Sequence, residues 1–404
     1  MQTLPSILDA DVAGRTVLVR ADLNVPVHEH KVTDRTRLVQ LVSTVAELAE
    51  RGAKVAILSH FGRPKGPEHD LSLRVVANEL ESMLGRPMNF MEDCVGDTTE
   101  LQLRALPYPS VSVLENLRFH AGEEKNDRSF ALRLSLLGDI YLNDAFSCAH
   151  RAHASTHAIT EFLPSYAGPS LLAEVNALEC ALASPRRPVG ALVGGAKVST
   201  KIAVLESLLP KMNVLIILGG MANTFLHAQG VKVGRSLCEP AEAKTALRIL
   251  EAAQAAGCRI ILPVDGVAAE DYSANAPHVI VSNDAIPSQS MVLDAGPATV
   301  VQVNEAIDGL STLLWNGPAG AFELKPFDAG TKAIAQHVAR RTREGRLLSV
   351  AGGGDTVAAL NNAGVAGDFS CLSTAGGAFL EWLEGKELPG ISVLKTKNVL
   401  KKGA

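Results

Sequence analysis

The sequence predicts an α/β protein made of two doubly wound parallel-sheet (Rossmann-like) domains joined by a connecting helix. Three observations carry this expectation. Short β-rich apolar runs alternate with longer segments of helical period along the chain, the order that lays helices on both faces of a parallel sheet. Several of the runs are apolar without alternation, as strands covered on both faces must be. The chain has 404 residues, 47 % of them hydrophobic and 20 % charged, which is enough apolar mass for more than one core.

Taken in order, the first half offers strands at 16–20, 54–59, 111–114 and 140–143, with helices at 36–50 and 71–84. A break falls at 164–169. Residues 171–183 read as an apolar-striped helix, followed by the turn-like Ser184-Pro185-Arg186-Arg187-Pro188. This helix is the expected connector, and it and its flanking turns are the expected hinge. The second half offers strands at 189–193, 214–218, 259–262, 312–315 and 347–350, with helices at 197–209, 241–256 and 327–344. Gly52, Gly257 and Gly345 follow three of the helices as C-terminal stops. The expected domains are therefore 1–170 and 171–390, the second including the connector.

The formal net charge is −5, with no basic stripe of the kind a nucleic-acid partner requires. Cys94, Cys148, Cys180, Cys238, Cys258 and Cys371 are scattered, without metal-type spacing, and read as reduced thiols of an intracellular chain. The first eleven residues lack a signal-peptide pattern, and no apolar stretch reaches membrane-spanning length. A soluble cytoplasmic protein with no membrane partner is expected.

Ligands of open α/β sheets bind beyond the carboxyl ends of strands, so the loops there carry the chemistry. Three in the second half are glycine-rich: Gly194-Gly195-Ala196-Lys197, Gly219-Gly220-Met221 and Gly352-Gly353-Gly354-Asp355-Thr356. Glycines at such turns let amides close on a phosphate. One Gly-Gly turn alone is ordinary packing; three, accompanied by lysines, point to a nucleotide. On the predicted helix from 197, Lys197 and Lys201 share one face at its start, opposing the helix dipole, as suits a bound anion. Asp355 is a candidate for Mg²⁺ held on nucleotide phosphates. The strings G-x-x-x-x-G-K-S/T and G-x-G-x-x-G are absent, which argues against a P-loop NTPase and an NAD-dependent dehydrogenase; the protein-kinase H-R-D and D-F-G pair is absent as well.

In the first half, arginines and histidines recur at strand ends: Arg20 with Asp22 and Asn24, Arg37, His60 with Arg63, Arg118, and the run from His150 to His153. Taken singly, each reads as structural pairing. Together they suit a small, multiply anionic substrate, because guanidinium groups grip carboxylates and phosphates in bidentate fashion.

Nine strings then stand in order: R-A-D-L-N-V-P, L-S-H-F-G-R-P, E-N-L-R-F, A-H-R-A-H-A-S, G-G-A-K-V-S-T-K, G-G-M-A-N-T-F, W-N-G-P-A-G-A-F-E, G-G-G-D-T and S-T-A-G-G-A-F-L-E. From Arg20 to Glu381 this closely resembles the phosphoglycerate kinase family. The resemblance implies reversible transfer of the acyl phosphate of 1,3-bisphosphoglycerate to ADP, giving 3-phosphoglycerate and ATP, with Mg²⁺ on the nucleotide and closure by hinge bending. It implies a phosphoglycerate site of Asp22, Leu23, Asn24, Arg37, His60, Phe61, Gly62, Arg63, Arg118 and Arg151. It implies a nucleotide site of Lys201, Glu323, Gly353, Gly354, Asp355 and Thr356, with Glu323 toward the ribose. Arg37, Lys197, Gly376 and Gly377 would be the catalytic groups around the phosphoryl in flight. The resemblance also implies a monomer whose tail, 391–404, returns to the first domain. The chain departs from the family where Ala375 precedes Gly376 and where Ser147-Cys148 stands in place of Gly-Thr.

Overall fold

The computed structural model describes residues 4–402, with side chains as far as Lys395. The chain divides into two compact units, one running to Val175 and resuming at Glu387, the other spanning Asn176–Lys386.

The first unit is built on β1 (Thr16–Arg20), the hairpin β2 (Val27–His28) and β3 (Lys31–Val32), α1 (Thr36–Glu50), β4 (Lys54–Leu58), α2 (Arg74–Leu84), β5 (Asn89–Met91), α3 (Asp97–Ala105), β6 (Ser110–Leu114), α4 (Arg128–Ser135), β7 (Ile140–Asn143) and β8 (Ser165–Ala167). Six strands form one parallel sheet in the order β5-β6-β4-β1-β7-β8. The chain moves outward from β1 in one direction and then returns to its other side. Alternate residues of each strand enter opposite cores. Val17, Val19, Val55 and Ile57 meet Leu38, Val45 and Leu48 of α1, whereas Leu18, Ala56, Leu58 and Tyr141 meet Leu103, Phe130 and Leu134. That double burial explains the uninterrupted apolar runs, each buried Leu or Val contributing about 1.5–3 kcal/mol.

α5 (Pro169–Leu182) begins with proline, whose fixed φ suits a first helical turn. The division between units lies within α5, not ahead of it: buried Leu171 and Val175 belong to the first unit, Leu178 and Ala181 to the second.

The second unit contains β9 (Val189–Val193), α6 (Ile202–Leu208), β10 (Val214–Ile217), α7 (Gly220–Ala228), α8 (Ala243–Ala255), β11 (Arg259–Ile261), β12 (Asp265–Ala269), β13 (His278–Ser282), β14 (Met291–Ala295), α9 (Pro297–Asp308), β15 (Thr312–Asn316), α10 (Ala329–Arg343), β16 (Leu348–Gly352), α11 (Gly354–Asn362), β17 (Cys371–Ser373) and α12 (Gly377–Leu383). Its parallel sheet has the order β11-β10-β9-β15-β16-β17, so the winding reverses between β9 and β15. Trp315, Leu313 and Ile216 pack there against Val303, Ile334 and Val338. A separate antiparallel sheet, β13-β12-β14, is inserted after β11. The sequence reading missed it because exposed β13 presents no apolar face to the core. It also missed the three-residue edge strands β5, β8 and β17, too short to show a period.

The last helix, α13 (Pro389–Lys402), lies in the first unit, which the chain rejoins at Glu387. Gly390 N–H donates to Ala149 O at 2.9 Å, and its carbonyl accepts from Asn143 Nδ2 at 3.4 Å. Of the predicted tail, side chains beyond Lys395 lie outside the described residues.

Candidate active site

In the first unit the site assembles at the carboxyl ends of β1, β4 and β6. After β1, Asp22 accepts the Asn24 amide at 3.0 Å and pairs with Arg37 of α1 at 3.1 Å. Arg37 Nη1 also donates to Asn24 O at 2.6 Å. Asn24 Oδ1 accepts the Gly62 amide at 2.9 Å, and Gly62 O accepts from Arg118 Nη1 at 2.6 Å. One chain of bonds therefore joins Asp22, Asn24, Arg37, Gly62 and Arg118. Buried Asn116 holds the turn after β4 from below, bonding the Phe61 main chain at 3.2 and 2.7 Å and the Arg118 amide at 3.0 Å.

Leu23 and Phe61 turn their side chains into the core and offer only main chain. Arg63 and Arg151 are exposed, and neither carries a hydrogen bond or ion pair on its guanidinium among the described residues. The local field is positive. His60 is held well below its ordinary range, first by burial and then by Arg20, Arg118, His153 and Arg37. His153 is pushed down to about 4 by burial and by Arg20, Arg118 and Arg151. Guanidinium charge gathered beside neutral imidazoles, with Arg63 and Arg151 lacking an ion-pair partner among the described residues, is a surface for an anion.

In the second unit three loops cross at the ends of β9, β10 and β15. Gly194 N–H donates to Asn316 O at 2.8 Å, and Met221 N–H to Gly195 O at 2.9 Å. The backbones approach so closely that a Cβ on Gly194 would lie 2.1 Å from Pro318 O. Asn316, buried at the end of β15, joins the parts. Its Oδ1 accepts from Lys201 Nζ, and its Nδ2 donates to Gly352 O at 2.7 Å. Thr356 Oγ1 accepts the Gly317 amide at 2.7 Å and donates to Gly352 O at 2.9 Å, so its hydroxyl clamps two loops together. Gly353, at φ +103°, caps α11, and Gly354 and Asp355 open that helix. Burial lowers Lys201 to about 8, against the pull of Asp355 and Glu384. Beside these loops is a pocket of about 420 Å³, with Leu226, Leu237, Met291 and Leu293 as apolar wall and Glu323 and Asp355 on its polar side.

Residues 7–386 match the family described as phosphoglycerate kinase. The chain belongs to that family. It is 60 % identical over 385 residues to a phosphoglycerate kinase of Methylobacterium radiotolerans, covering 95 % of this chain and 96 % of the relative. It is 56 % identical over 396 residues to one of Rhodopseudomonas palustris, covering 98 % and 100 %. The solved phosphoglycerate kinase of Coxiella burnetii superposes with a TM-score of 0.89 at 40 % identity, covering 98 % of this chain and 100 % of that one. That of Pyrococcus horikoshii gives 0.81 at 28 % identity, with the same coverage.

Against this family background one local expectation is corrected. The helix predicted from 197 starts only at Ile202, with Lys201 as its N-cap, so Lys197 and Lys201 do not share a helical face. The intervening polar side chains compete with the helix: Ser199 N and Oγ bond Glu239 at 3.0 and 2.6 Å, and Thr200 Oγ1 bonds Lys197 O at 2.9 Å. Lys197 stands exposed in this loop. Gly376 caps the short helix α12, and Gly377 is its first residue. Asn316 and two residues of the inserted sheet went unread in the sequence. Asn316 sits inside the W-N-G-P string, where nothing marks it as a junction. Met291 and Leu293 come from the inserted sheet, whose role as a pocket wall has no sequence period.

Proposed function

We propose that this phosphoglycerate kinase family member moves the acyl phosphate of 1,3-bisphosphoglycerate to ADP, reversibly, the first unit taking the phosphoglycerate and the second the nucleotide. The observation that carries the assignment of units is the split in chemistry. Arg63 and Arg151, exposed and without an ion pair among the described residues, flank a positively charged strand end in one unit. An apolar pocket bordered by glycine loops, Lys201 and Asp355 marks the other.

Phosphoryl transfer asks for positioning and charge stabilisation, with little covalent help. In this reading Arg63, Arg118 and Arg151 bind the phosphoglycerate anion, with Asp22, Asn24 and His60 orienting it. The apolar wall of the pocket takes the nucleobase, Glu323 the ribose, and Lys201 with the amides of Gly353 and Gly354 the phosphates. Mg²⁺ arriving on the nucleotide suits Asp355, an exposed carboxylate without a hydrogen bond or ion pair among the described residues. Mg²⁺ takes one or two carboxylates beside phosphate oxygens and water; once bound, the ion would neutralise phosphate charge. Lys197, Arg37 and the amides of Gly376 and Gly377 stabilise the transferring group. The ligands must meet in line with water excluded, because an acyl phosphate hydrolyses, and hinge bending about α5 is the proposed means. A monomer in the cytoplasm completes the proposal. The six free cysteines support a reducing compartment, and no helix of the described residues is long and apolar enough to cross a membrane.

ADP formation from Mg-ATP, measured with and without 3-phosphoglycerate, tests this. Turnover that requires 3-phosphoglycerate is expected. Binding of both ligands without turnover would refute the transfer, and turnover indifferent to 3-phosphoglycerate would refute the acceptor.

A further inference from the structure

Arg20 ends β1 and is 1 % exposed. None of the ligand roles above uses it. Its guanidinium is spent inward: Nε donates to Ser155 Oγ at 2.9 Å and Nη1 to the Ala21 carbonyl, while Nη2 lies 3.2 Å from His60 Nδ1 and 3.5 Å from Cys148 Sγ. A guanidinium has donors only. Its contact with His60 is therefore a hydrogen bond only when Nδ1 carries no proton, which leaves the ring neutral with its proton on Nε2.

The polarity of this arrangement is set further back. Glu123 is fully buried, and its carboxylate accepts the Ser155 hydroxyl at 2.6 Å and the Ser155 amide at 3.0 Å. With its hydrogen committed to Glu123, the Ser155 oxygen turns a lone pair toward Arg20 Nε. Tyr141 Oη holds the same residue by donating to Ser155 O at 2.7 Å. The buried guanidinium thus has a buried carboxylate one hydroxyl away, which offsets the cost of placing a charge there.

The leading influences on His60 favour a neutral ring. Arg20 faces it from β1, Arg37 from α1, Arg118 from the turn after β6 and His153 from the segment after β7; all four oppose its protonation, as does burial. Asp22 and Cys148 lie in the same cluster, but Asp22 is already committed to Arg37 and Ser147. Nε2 of His60 has no hydrogen-bond partner among the described residues.

We propose that Arg20, oriented by Glu123 through Ser155, is a positioning residue that fixes His60 as the Nε2–H tautomer, so that His60 meets the phosphoglycerate as an uncharged hydrogen-bond donor. This rests on the reading of His60 as a phosphoglycerate-site residue. The anion's charge is then met by arginines alone, and His60 supplies direction.

Long-range proton–nitrogen correlation on the histidine-labelled, ligand-free full chain reads the tautomer without reference to activity. At pH 7 His60 is expected as neutral Nε2–H. A protonated ring or the Nδ1–H form overturns the proposal, even in a fully active enzyme. Ser155→Ala leaves Arg20 Nε without its acceptor. It is expected to mix the His60 tautomers and to raise the KM for 3-phosphoglycerate about tenfold, the scale of a bond to a charged group, with kcat and the nucleotide KM retained. A Ser155→Ala chain whose His60 spectrum and KM match the parent also overturns it. Loss of turnover in the unsubstituted protein, with His60 still Nε2–H, would defeat the functional reading and leave the tautomer assignment standing.

Discussion

Gly194→Ala tests the loop crossing on which the candidate nucleotide site depends. The added Cβ would lie 2.1 Å from Pro318 O and 2.7 Å from Gly317 O, where ordinary contact begins at 3.4 Å. Both obstacles are backbone, so no side-chain rotation relieves the overlap, and one loop must move by roughly 1 Å. Overpacking of this kind costs about 1–3 kcal/mol, and the upper half of that range applies where only backbone can yield. For a unit of this size each kcal/mol lowers Tm by about 2–4 °C, so a fall of about 4–12 °C is expected in the transition of the second unit. The moved loops carry Lys201's partner Asn316 and the glycines beside the pocket, and a displacement near 1 Å at a reacting site costs about 10²-fold in rate. Thermal unfolding and a coupled steady-state assay read the two effects. Gly367→Ala is the control, because nothing lies within 4 Å of a Cβ there. If Gly194→Ala matched the parent in both Tm and turnover, the close crossing, and the argument built on it, would be refuted.

Lys197→Ala is expected to lower turnover about 10²–10³-fold, as loss of a donor to a developing anion does, and to leave Tm unchanged, because Lys197 is exposed; steady-state kinetics with thermal unfolding decide it. Arg63→Ala should raise the KM for 3-phosphoglycerate and leave that for nucleotide alone; the reverse pattern would exchange the roles of the two units. Lys201, at about 8 in the folded protein against an ordinary 10.5, is neutral in a growing fraction of molecules as pH rises past 8. ADP affinity should therefore weaken from pH 7 to 9 by calorimetry, and Lys201→Met should flatten that dependence. In the ligand-free protein the linkage has the opposite sign: the unfolded chain holds the proton longer, so Lys201's contribution to stability improves from pH 8 toward 10.5.

Much of this fold was legible because its central strands are buried on both faces. The runs at 16–20, 140–143 and 189–193 coincide with β1, β7 and β9, and the helix-period segment at 36–50 coincides with α1. Where burial is one-sided or brief the signal fades: β5, β8 and β17 are three residues each, and β13 is exposed. The start of α6 was misplaced for a different reason. Residues 197–201 run without a break into the apolar helix that follows, but Glu239, forty residues on, takes the Ser199 hydroxyl and amide. Local propensity holds no record of a partner so distant.

The candidate site shows the same division. Residue order alone determined the βα alternation, the glycine loops at strand ends, the clustering of arginines in one half and the nine ordered strings that resemble a single family. These are local or serial properties. Only the tertiary structure decided how chemically equal arginines are used: Arg20 turned inward to Ser155 and His60, Arg37 tied to Asp22, Arg63 and Arg151 left outward with their charge unspent. It alone made Asn316 a junction and the inserted sheet a pocket wall. The physical reason is that a side chain's charge, tautomer and available hydrogens depend on what lies within a few ångströms, and in a doubly wound sheet those neighbours come from other strand ends, 40 residues away for Arg20 and His60 and 135 for Arg20 and Ser155.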